Sequence, residues 1–321
     1  MSETEATRQN LFFIVGSGRC GTTMLRSVLS AHPDICIPTE TQFYNVFRPA
    51  SIMRHGPLTQ SSFRKIVDRI DRWEHVRGEQ IDWNEFQSLV RSMPPEWRSI
   101  LTAFLTAYRA GQGKRIVGEK TPGHIRCMKR ISRDFPQAKF IHLVRDPRAV
   151  VHSHLNHPSY RKVYGDSVGY AAWKWRSAYD CHQKAAKYLD ATRLYLLRYE
   201  DLIASPDEAI RALCAFLGVE FHAGMLDARG TDDLYIKNAQ THQMAVAPIV
   251  ADRIDIWRED LDTSRVAAIE LIVSKRRMTD LGYTPQFADG SGLRVSMNSA
   301  GHIISGAVHA LRHGFSKVFA R

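Results

Sequence analysis

Five consecutive apolar residues, 11–15, lie near the amino terminus of this 321-residue chain and lead directly into a glycine-bearing turn. An apolar run ended by glycine is typical of a buried strand. From Gly21 onward, apolar residues recur at helical spacing, which predicts that a helix begins there. Backbone N–H groups converge between such a strand and helix, and the helix dipole favours negative charge. The segment therefore predicts an anion-binding loop.

The loop has the spacing Gly16-x-x-x-x-Gly21 followed by Thr22-Thr23, which differs at one position from the loop that binds nucleoside triphosphates. A kinase or ATPase has a lysine at the position of Thr22, and that lysine reaches the β- and γ-phosphates. The loop amides, the two hydroxyls and the Arg19 guanidinium can still hold one phosphate. We therefore expect a ligand with a single 5′-phosphate. The alternative is a glycine-rich turn that binds nothing.

Three further apolar runs alternate with helical patterns along the chain, at 115–118, 139–144 and 194–199. Strands and helices that alternate at this spacing predict right-handed crossovers and a parallel sheet. We expect an α/β, P-loop-like fold of three layers, with a central parallel sheet and helices on both faces. Residues 1–287 would form one domain, with a helical insertion at 45–113.

Polar side chains follow each of the four predicted strands, namely Arg19, Lys120, Arg145 and Tyr199. Parallel α/β sheets bind ligands beyond the carboxyl ends of their strands. We therefore expect these four side chains to lie close together at one edge of the sheet. Independent solvated loop positions would not produce such a pattern.

The formal net charge of +11 favours an anionic partner. The arginines are spread along the chain without a nucleic-acid recognition motif, so we predict no nucleic-acid partner. Five scattered cysteines without a Cys-x-x-Cys pair argue against a disulfide framework or a zinc site, and no carboxylate cluster suits another metal. The chain has no run of eighteen apolar residues and no signal-peptide pattern. These features predict a cytoplasmic protein without a metal.

Residues 288–321 begin with glycine and serine and continue as a basic amphipathic pattern. A basic amphipathic helix can lie on an anionic membrane surface. A loosely docked terminal helix would give the same pattern. The tail is therefore a candidate for weak contact with a membrane surface.

The sequence Gly-Ser-Gly-Arg-Cys-Gly-Thr-Thr at 16–23 resembles the 5′-phosphosulfate loop of sulfotransferases that use 3′-phosphoadenosine 5′-phosphosulfate (PAPS). The continuation from Ser30 to Thr41 is especially similar to tyrosylprotein sulfotransferases and their bacterial relatives. The resemblance implies transfer of a sulfuryl group from PAPS to a hydroxyl, with release of adenosine 3′,5′-bisphosphate. It also implies a set of loop residues that bind the 5′ end of the donor: Ser17, Gly18, Arg19, Cys20, Gly21, Thr22 and Thr23.

The segment Val144-Arg145-Asp146-Pro147-Arg148, with Ser153 eight positions after Arg145, resembles the 3′-phosphate site of the family. A guanidinium supplies a charge-assisted fork for a phosphate, and a serine hydroxyl adds a donor. The alternative is that Arg145 forms an ion pair with Asp146 or Asp201. The resemblance further implies nucleotide contacts by three residues: Tyr199, Thr241 and Arg253.

Glu40 matches the position of the glutamate base of tyrosylprotein sulfotransferases, 21 residues after Arg19. Transfer needs a group that takes the proton of the attacking hydroxyl. Lys120 resembles the lysine that neutralises the leaving group in the tyrosylprotein and heparan sulfate enzymes, and Arg19 could assist it. Glu40 could instead pair with Arg19 or cap a turn. Cytosolic small-molecule sulfotransferases use a histidine base, for which three candidates exist: His32, His124 and His142.

Two residues depart from the tyrosylprotein pattern. Gln42 stands where those enzymes have a basic residue near the acceptor, and His157 stands where they have an arginine by the nucleotide. We therefore expect an acceptor hydroxyl on a small molecule, a glycan or a lipid-linked compound, with protein tyrosine as the alternative. The insertion at 45–113 could cap the acceptor pocket. Aromatic residues in and just before it are candidates to line that pocket or to pack in the core: Phe43, Tyr44, Phe47, Trp73 and Trp83.

Two other classes of function fit part of the pattern. A nucleotide kinase would need the loop lysine and magnesium ligands, and Thr22 argues against it. A non-catalytic protein that binds nucleotides or polyanions would retain the loop and Arg145 but would not need Glu40 or Lys120. Binding of different nucleotides separates these alternatives.

Overall fold

A computed structural model describes residues 2–47, 58–71, 81–158, 160–161, 165–227, 254–287 and 301. Its centre is a sheet of five parallel strands in the spatial order β2-β3-β1-β4-β5. The strands are β1 (Leu11–Gly16), β2 (Ile35–Cys36), β3 (Ile116–Lys120), β4 (Lys139–Val144) and β5 (Leu194–Arg198). Because all pairs are parallel, the carboxyl ends of the strands lie at one edge.

Helices cover both faces of this sheet. In chain order they are α1 (Glu3–Gln9), α2 (Thr22–Ser30), α3 (Gln60–Asp71), α4 (Trp83–Ser92), α5 (Trp97–Gly111), α6 (Met128–Asp134), α7 (Pro147–Leu155), α8 (Val168–Ala185), α9 (Tyr199–Ala204), α10 (Pro206–Leu217), α11 (Trp257–Asp260), α12 (Thr263–Val273) and α13 (Lys275–Thr279). Three short helical segments of other types occur at Phe43–Phe47, Pro122–Cys127 and Ala223–Met225. The predicted three-layer α/β architecture is confirmed.

Strand β1 is the middle strand of the sheet, between β3 and β4, and every one of its residues is buried. Alternate side chains point to opposite faces. Leu11, Phe13 and Val15 join a core formed with α3, α4 and α5, whereas Phe12 and Ile14 join a core formed with α2, α7, α10 and α12. A strand that is buried on both faces has no polar alternation, which explains the continuous apolar run in the sequence.

Most of the described part of the predicted insertion at 45–113 packs into the core on the Phe13 face of β1. Helix α5 is buried along nearly its whole length and contacts β3. Phe43 and Tyr44 are also buried in this core, and Trp83 packs edge-on against Phe86. A role for this region as an acceptor cap remains a prediction.

The side chain of Phe47, the residue Trp73 and the predicted tail at 288–321, apart from Gly301, lie outside the described residues. Within the described ranges, no helix combines the length and the hydropathy needed to cross a bilayer. Two elements that the sequence patterns did not predict are α1, which packs on α5, and the two-residue strand β2.

Candidate active site

The loop between β1 and α2 has a conformation that its glycines permit. Gly18 and Gly21 have φ angles of +81° and +94°, and Arg19 has φ +57°. Glycine adopts the left-handed region without steric cost, whereas a residue with a side chain rarely adopts it. Helix α2 begins at Thr22 directly after this turn, so its first backbone N–H groups have no partners within the helix. These groups and the helix dipole form an anion site at the end of β1.

Two of the loop glycines also lie too close to their neighbours for a side chain. A Cβ atom on Gly16 would lie 2.6 Å from Cys20 Sγ and 2.8 Å from the Leu143 carbonyl oxygen. A Cβ atom on Gly21 would lie 2.5 Å from the ring of Tyr199. The Cys20 side chain is fully buried beneath the loop, and this burial raises the pKa of its thiol. Cys20 can therefore contact a ligand only through its backbone.

Two arginines lie beside this loop. The Arg19 Nε atom donates a hydrogen bond to Ser153 Oγ at 3.2 Å. The Arg145 guanidinium lies 4.5 Å from the centre of the Tyr199 ring, a cation–π contact. Burial lowers the pKa of Arg19, and the positive charge of Arg145 lowers it further. A second positive charge near a buried guanidinium favours an anionic ligand at this loop.

Tyr160 closes the other side of the loop. Its ring lies 5.5 Å from the Arg19 guanidinium carbon, and a Cβ atom on Gly18 would lie 2.9 Å from its hydroxyl oxygen. His157 packs edge-on against the same ring at 5.3 Å. His157 is buried, so this contact packs the Tyr160 ring against the interior.

Glu40 and Lys120 form an ion pair at the same edge of the sheet. Lys120 Nζ donates to Glu40 Oε1 at 2.8 Å, and the Gln42 amide donates to Glu40 Oε2 at 2.6 Å. The Lys120 side chain is 3% exposed, whereas that of Glu40 is 34% exposed. Each carboxylate oxygen can accept a further hydrogen bond. The pair therefore presents a reachable carboxylate that is backed by a buried ammonium group.

The structure brings together the described residues that the sequence placed at the strand ends. Arg19 contacts Ser153, Arg145 contacts Tyr199, and Tyr199 packs on Gly21. The charges of Arg145 and Glu40 both affect the pKa of Arg19. Thr241 and Arg253 lie outside the described residues. The roles assigned to these residues remain predictions.

Asp146 and Asp201, the alternative ion-pair partners considered for Arg145, each bond to another arginine. Asp146 accepts hydrogen bonds from Arg148, and Asp201 pairs with Arg198. Glu40 pairs with Lys120 rather than with Arg19.

The three histidines considered as bases have structural partners or are enclosed. His32 Nε2 bonds to the Glu220 carbonyl oxygen at 2.8 Å, and its Nδ1 accepts the Asp34 N–H. His124 bonds to Glu119 at 2.8 Å. His142 is buried in β4 against His182, and burial lowers its pKa well below the usual value. A buried neutral ring without access to solvent is poorly suited to take a proton from a substrate.

Sequence patterns missed the buried carboxylate of Glu119, which precedes Lys120. It accepts hydrogen bonds from Thr41, Thr121 and His124. Burial alone would raise the pKa of Glu119, but His124 and the two hydroxyls together hold it below the usual value. The signal available in the sequence was a charged residue directly after the apolar run of a predicted strand.

Sequence patterns also missed the role of Arg148. Its guanidinium bonds to both Asp146 oxygens, at 3.0 and 2.7 Å, and to Glu270 at 2.9 Å. Glu270 in turn accepts the backbone N–H groups of Gln286 and Phe287. All three charged side chains are buried, so Arg148 joins the start of α7 to the segment that follows α13. The two arginines of the motif thus lie in different environments.

Among the residues that the structure describes, no group of three or more His, Cys, Asp or Glu side chains could hold a metal ion.

Comparison with known proteins gives consistent matches. The model of the Sulfotransferase family matches residues 12–223. The chain is 26% identical over 295 residues to protein-tyrosine sulfotransferase 1 of Danio rerio, covering 86% of this chain and 72% of that protein. It is 30% identical over 250 residues to the omega-hydroxy-beta-dihydromenaquinone-9 sulfotransferase Stf3 of Mycobacterium tuberculosis, covering 64% of this chain and 62% of that protein. The chain thus spans less than two thirds of the length of the mycobacterial relative.

Two solved structures share the fold. The sulfotransferase domain from the Synechococcus PCC 7002 olefin synthase superposes with a TM-score of 0.62 at 22% identity, covering 87% of this chain and 97% of that domain. The sulfotransferase domain from the curacin biosynthetic pathway superposes with a TM-score of 0.54 at 18% identity, covering 86% of this chain and 98% of that domain.

Proposed function

Because the chain belongs to the Sulfotransferase family, we propose that it transfers a sulfuryl group from PAPS to a hydroxyl acceptor. The products would be the sulfated acceptor and adenosine 3′,5′-bisphosphate. The observation that carries this proposal is the position of the Glu40–Lys120 pair at the same sheet edge as a glycine loop and two guanidinium groups.

The residues at this edge suit a donor with phosphate groups on both the 5′ and the 3′ positions of its ribose. The amides of 17–23 and the Arg19 guanidinium would bind the 5′-phosphosulfate, since α2 begins there. Arg145 and Ser153 would bind the 3′-phosphate through a charge-assisted fork and a hydroxyl. Tyr199 holds the Arg145 guanidinium by stacking. The burial of Arg19 next to a second cation supports this assignment, because a bound anion would offset the free-energy cost of burying the charged guanidinium there.

The chemical step would use Glu40 and Lys120 in different roles. As the acceptor oxygen forms a bond to sulfur, Glu40 takes the hydroxyl proton, because its carboxylate is the more exposed member of the pair. The bond between sulfur and the bridging oxygen breaks, and negative charge develops on the 5′-phosphate. Lys120 and Arg19 stabilise that charge by electrostatic interaction. Gln42 and Lys120 together fix the orientation of the carboxylate.

Nucleotide specificity tests the donor site. We expect adenosine 3′,5′-bisphosphate to raise the melting temperature more than AMP, because only the former has a 3′-phosphate for Arg145. At 100 times Kd, a ligand stabilises the folded state by about 2.7 kcal/mol. ATP should stabilise the protein less, since the loop has Thr22 in place of lysine. Stabilisation by ATP alone, in a fluorescence-monitored melting experiment, would contradict the proposal.

The acceptor we propose is a hydroxyl on a small molecule, a glycan or a lipid-linked compound. Two observations support it. The mycobacterial relative named above has a hydroxylated menaquinone as its named substrate. In addition, the Gln42 side chain is neutral and donates to Glu40, so position 42 offers no positive charge to an acidic peptide. Tyrosine in proteins is the alternative, because another relative is a protein-tyrosine sulfotransferase.

A metabolite screen distinguishes these acceptors. The purified protein is incubated with PAPS carrying heavy sulfur and, in parallel, with an extract of small molecules and lipids or with acidic tyrosine peptides. We expect sulfated products of the first mixture by mass spectrometry, and about 10²- to 10⁴-fold slower formation of them when Glu40→Gln protein is used. Label that appears only on tyrosine would contradict the proposed acceptor while leaving the donor site unchanged.

A further inference from the structure

We infer that Glu119 and the side chains bonded to it are positioning residues that hold the base-bearing segment 39–45, here called the base loop, against the end of β3. This inference rests on the proposed function, because it takes Glu40 as the catalytic base. It assigns Glu119 no contact with the donor or the acceptor. It concerns how Glu40 is brought to Lys120 and kept there.

Glu119 is fully buried and accepts from three donors. The hydroxyls of Thr41 and Thr121 donate to Oε1 at 2.8 and 2.6 Å, and His124 Nδ1 donates to Oε2 at 2.8 Å. A buried carboxylate is costly to keep unless its oxygens are satisfied. Hydrogen bonds to an ionised acceptor are also stronger than neutral ones. Each of the three donors is therefore held firmly in one orientation.

The same three side chains accept hydrogen bonds from backbone N–H groups of the base loop. The Gln42 N–H donates to Thr121 Oγ1 at 3.1 Å, the Phe43 N–H donates to Thr41 Oγ1 at 3.2 Å, and the Tyr44 N–H donates to His124 Nε2 at 3.2 Å. Three consecutive backbone amides are thus connected, each through one intermediate group, to a single carboxylate. For His124, this pattern requires the proton on Nδ1 and none on Nε2.

This network constrains the position of the base directly. Gln42 has φ +49°, a left-handed conformation that a residue with a side chain adopts only when its surroundings hold it there. In that conformation its side chain reaches back to Glu40 Oε2, while the Asn45 side chain donates to Gln42 Oε1 at 2.8 Å. Lys120, the partner of the other Glu40 oxygen, is the next residue after Glu119 in β3. One buried carboxylate therefore fixes both the base and the loop conformation that orients it.

Packing alone does not require this arrangement. The residues that precede Glu119 in β3 are apolar, and an apolar residue in place of Glu119 would leave the three amides of the base loop without their acceptor groups in place. Reaction rates are sensitive to small displacements of a catalytic group, and about 1 Å can cost about 100-fold. We therefore expect disruption of the network to lower kcat while donor affinity stays unchanged.

Thr121 provides the sharpest test because it lies between Glu119 and the Gln42 amide. In Thr121→Val, a methyl group replaces the hydroxyl and the shape of the side chain is kept. In Thr121→Ser, the hydroxyl is retained and only a methyl group is removed. We expect Thr121→Val to lower kcat about 10- to 100-fold, with the Kd for adenosine 3′,5′-bisphosphate unchanged by calorimetry. Thr121→Ser should have kcat close to that of the unmodified protein.

The outcomes separate this inference from the function on which it rests. Unchanged kcat in Thr121→Val, an equal loss in Thr121→Ser, or a parallel loss of bisphosphate affinity would each overturn the positioning role. Glu40→Gln is measured alongside, and full activity in that variant would instead overturn the assignment of the base. If Thr121→Val does not fold, the pair Thr41→Val and Thr41→Ser applies the same test at the second hydroxyl, with the same expected results.

Discussion

Replacing Glu40 by glutamine is expected to lower kcat by about 10²- to 10⁴-fold, the usual contribution of a general base. Glutamine has nearly the same shape, and its carbonyl oxygen can still accept the Lys120 hydrogen bond. It cannot take the proton of the acceptor hydroxyl. The Kd for adenosine 3′,5′-bisphosphate should remain unchanged, because the groups proposed to bind it lie on the loop, on α7 and at the end of β4. Steady-state rates with saturating PAPS and calorimetric titration of the bisphosphate measure the two effects separately.

A matched control is Glu5→Gln, the same chemical change on an exposed residue of α1, which precedes the amino end of β1 and so lies away from the carboxyl ends of the strands. It should leave both kcat and Kd unchanged. If Glu40→Gln retained the kcat of the control, Glu40 would be a structural partner of Lys120 and another group would take the proton. Loss of bisphosphate affinity in Glu40→Gln would indicate that the substitution disturbs the donor site, contrary to the separation of roles proposed here.

The sequence was sufficient to predict the core of this fold because a strand buried on both faces leaves a continuous apolar run. The predicted strands at 11–15 and 139–144 agree with β1 and β4 almost residue for residue. Strand β2 was missed because two residues are too few to produce a pattern. Helix α5 lies within the predicted helical insertion at 45–113, and its packing against β3 could not be predicted, because periodicity shows which residues are apolar but not which element covers them.

The candidate site divides in a similar way. Residues that follow strands could be assigned to one edge, because parallel strands place their carboxyl ends together. The hydrogen bonds between Glu119 and the base loop could not be predicted, because they join residues about 80 positions apart through side chains that have no characteristic spacing. The departure at Gln42 was visible in the sequence, but its physical role became clear only from its contact with Glu40.

The segment Arg145-Asp146-Pro147-Arg148 shows the same limit at the scale of four residues. Both arginines have the same charge and lie three positions apart, so charge and proximity in sequence do not separate their roles. In the structure, the Arg145 guanidinium stacks on Tyr199 beside the loop. The Arg148 guanidinium instead bonds to Asp146 and Glu270 and stacks on Trp257 at 4.1 Å. One arginine therefore faces the proposed donor site, and the other holds the fold together.

Alanine substitutions of these two arginines should consequently affect different properties, namely ligand affinity for Arg145 and stability for Arg148. Arg145→Ala removes a charge-assisted contact of about 1.5–3 kcal/mol, so the Kd for adenosine 3′,5′-bisphosphate should rise by about 10- to 100-fold. The free energy of unfolding should change little. Arg148→Ala leaves the carboxylates of Asp146 and Glu270 buried without their cation, which typically costs about 3–5 kcal/mol of stability.

Calorimetric titration and urea denaturation of both variants measure this crossed pattern, and AMP provides the ligand control. AMP lacks the 3′-phosphate, so its weaker binding should be the same in Arg145→Ala as in the unmodified protein. Arg148→Ala protein that remains folded at low temperature should bind the bisphosphate more tightly than Arg145→Ala does, because its donor-facing guanidinium is intact. If Arg145→Ala lost stability and kept its affinity, the 3′-phosphate site would have to lie elsewhere on the sheet edge.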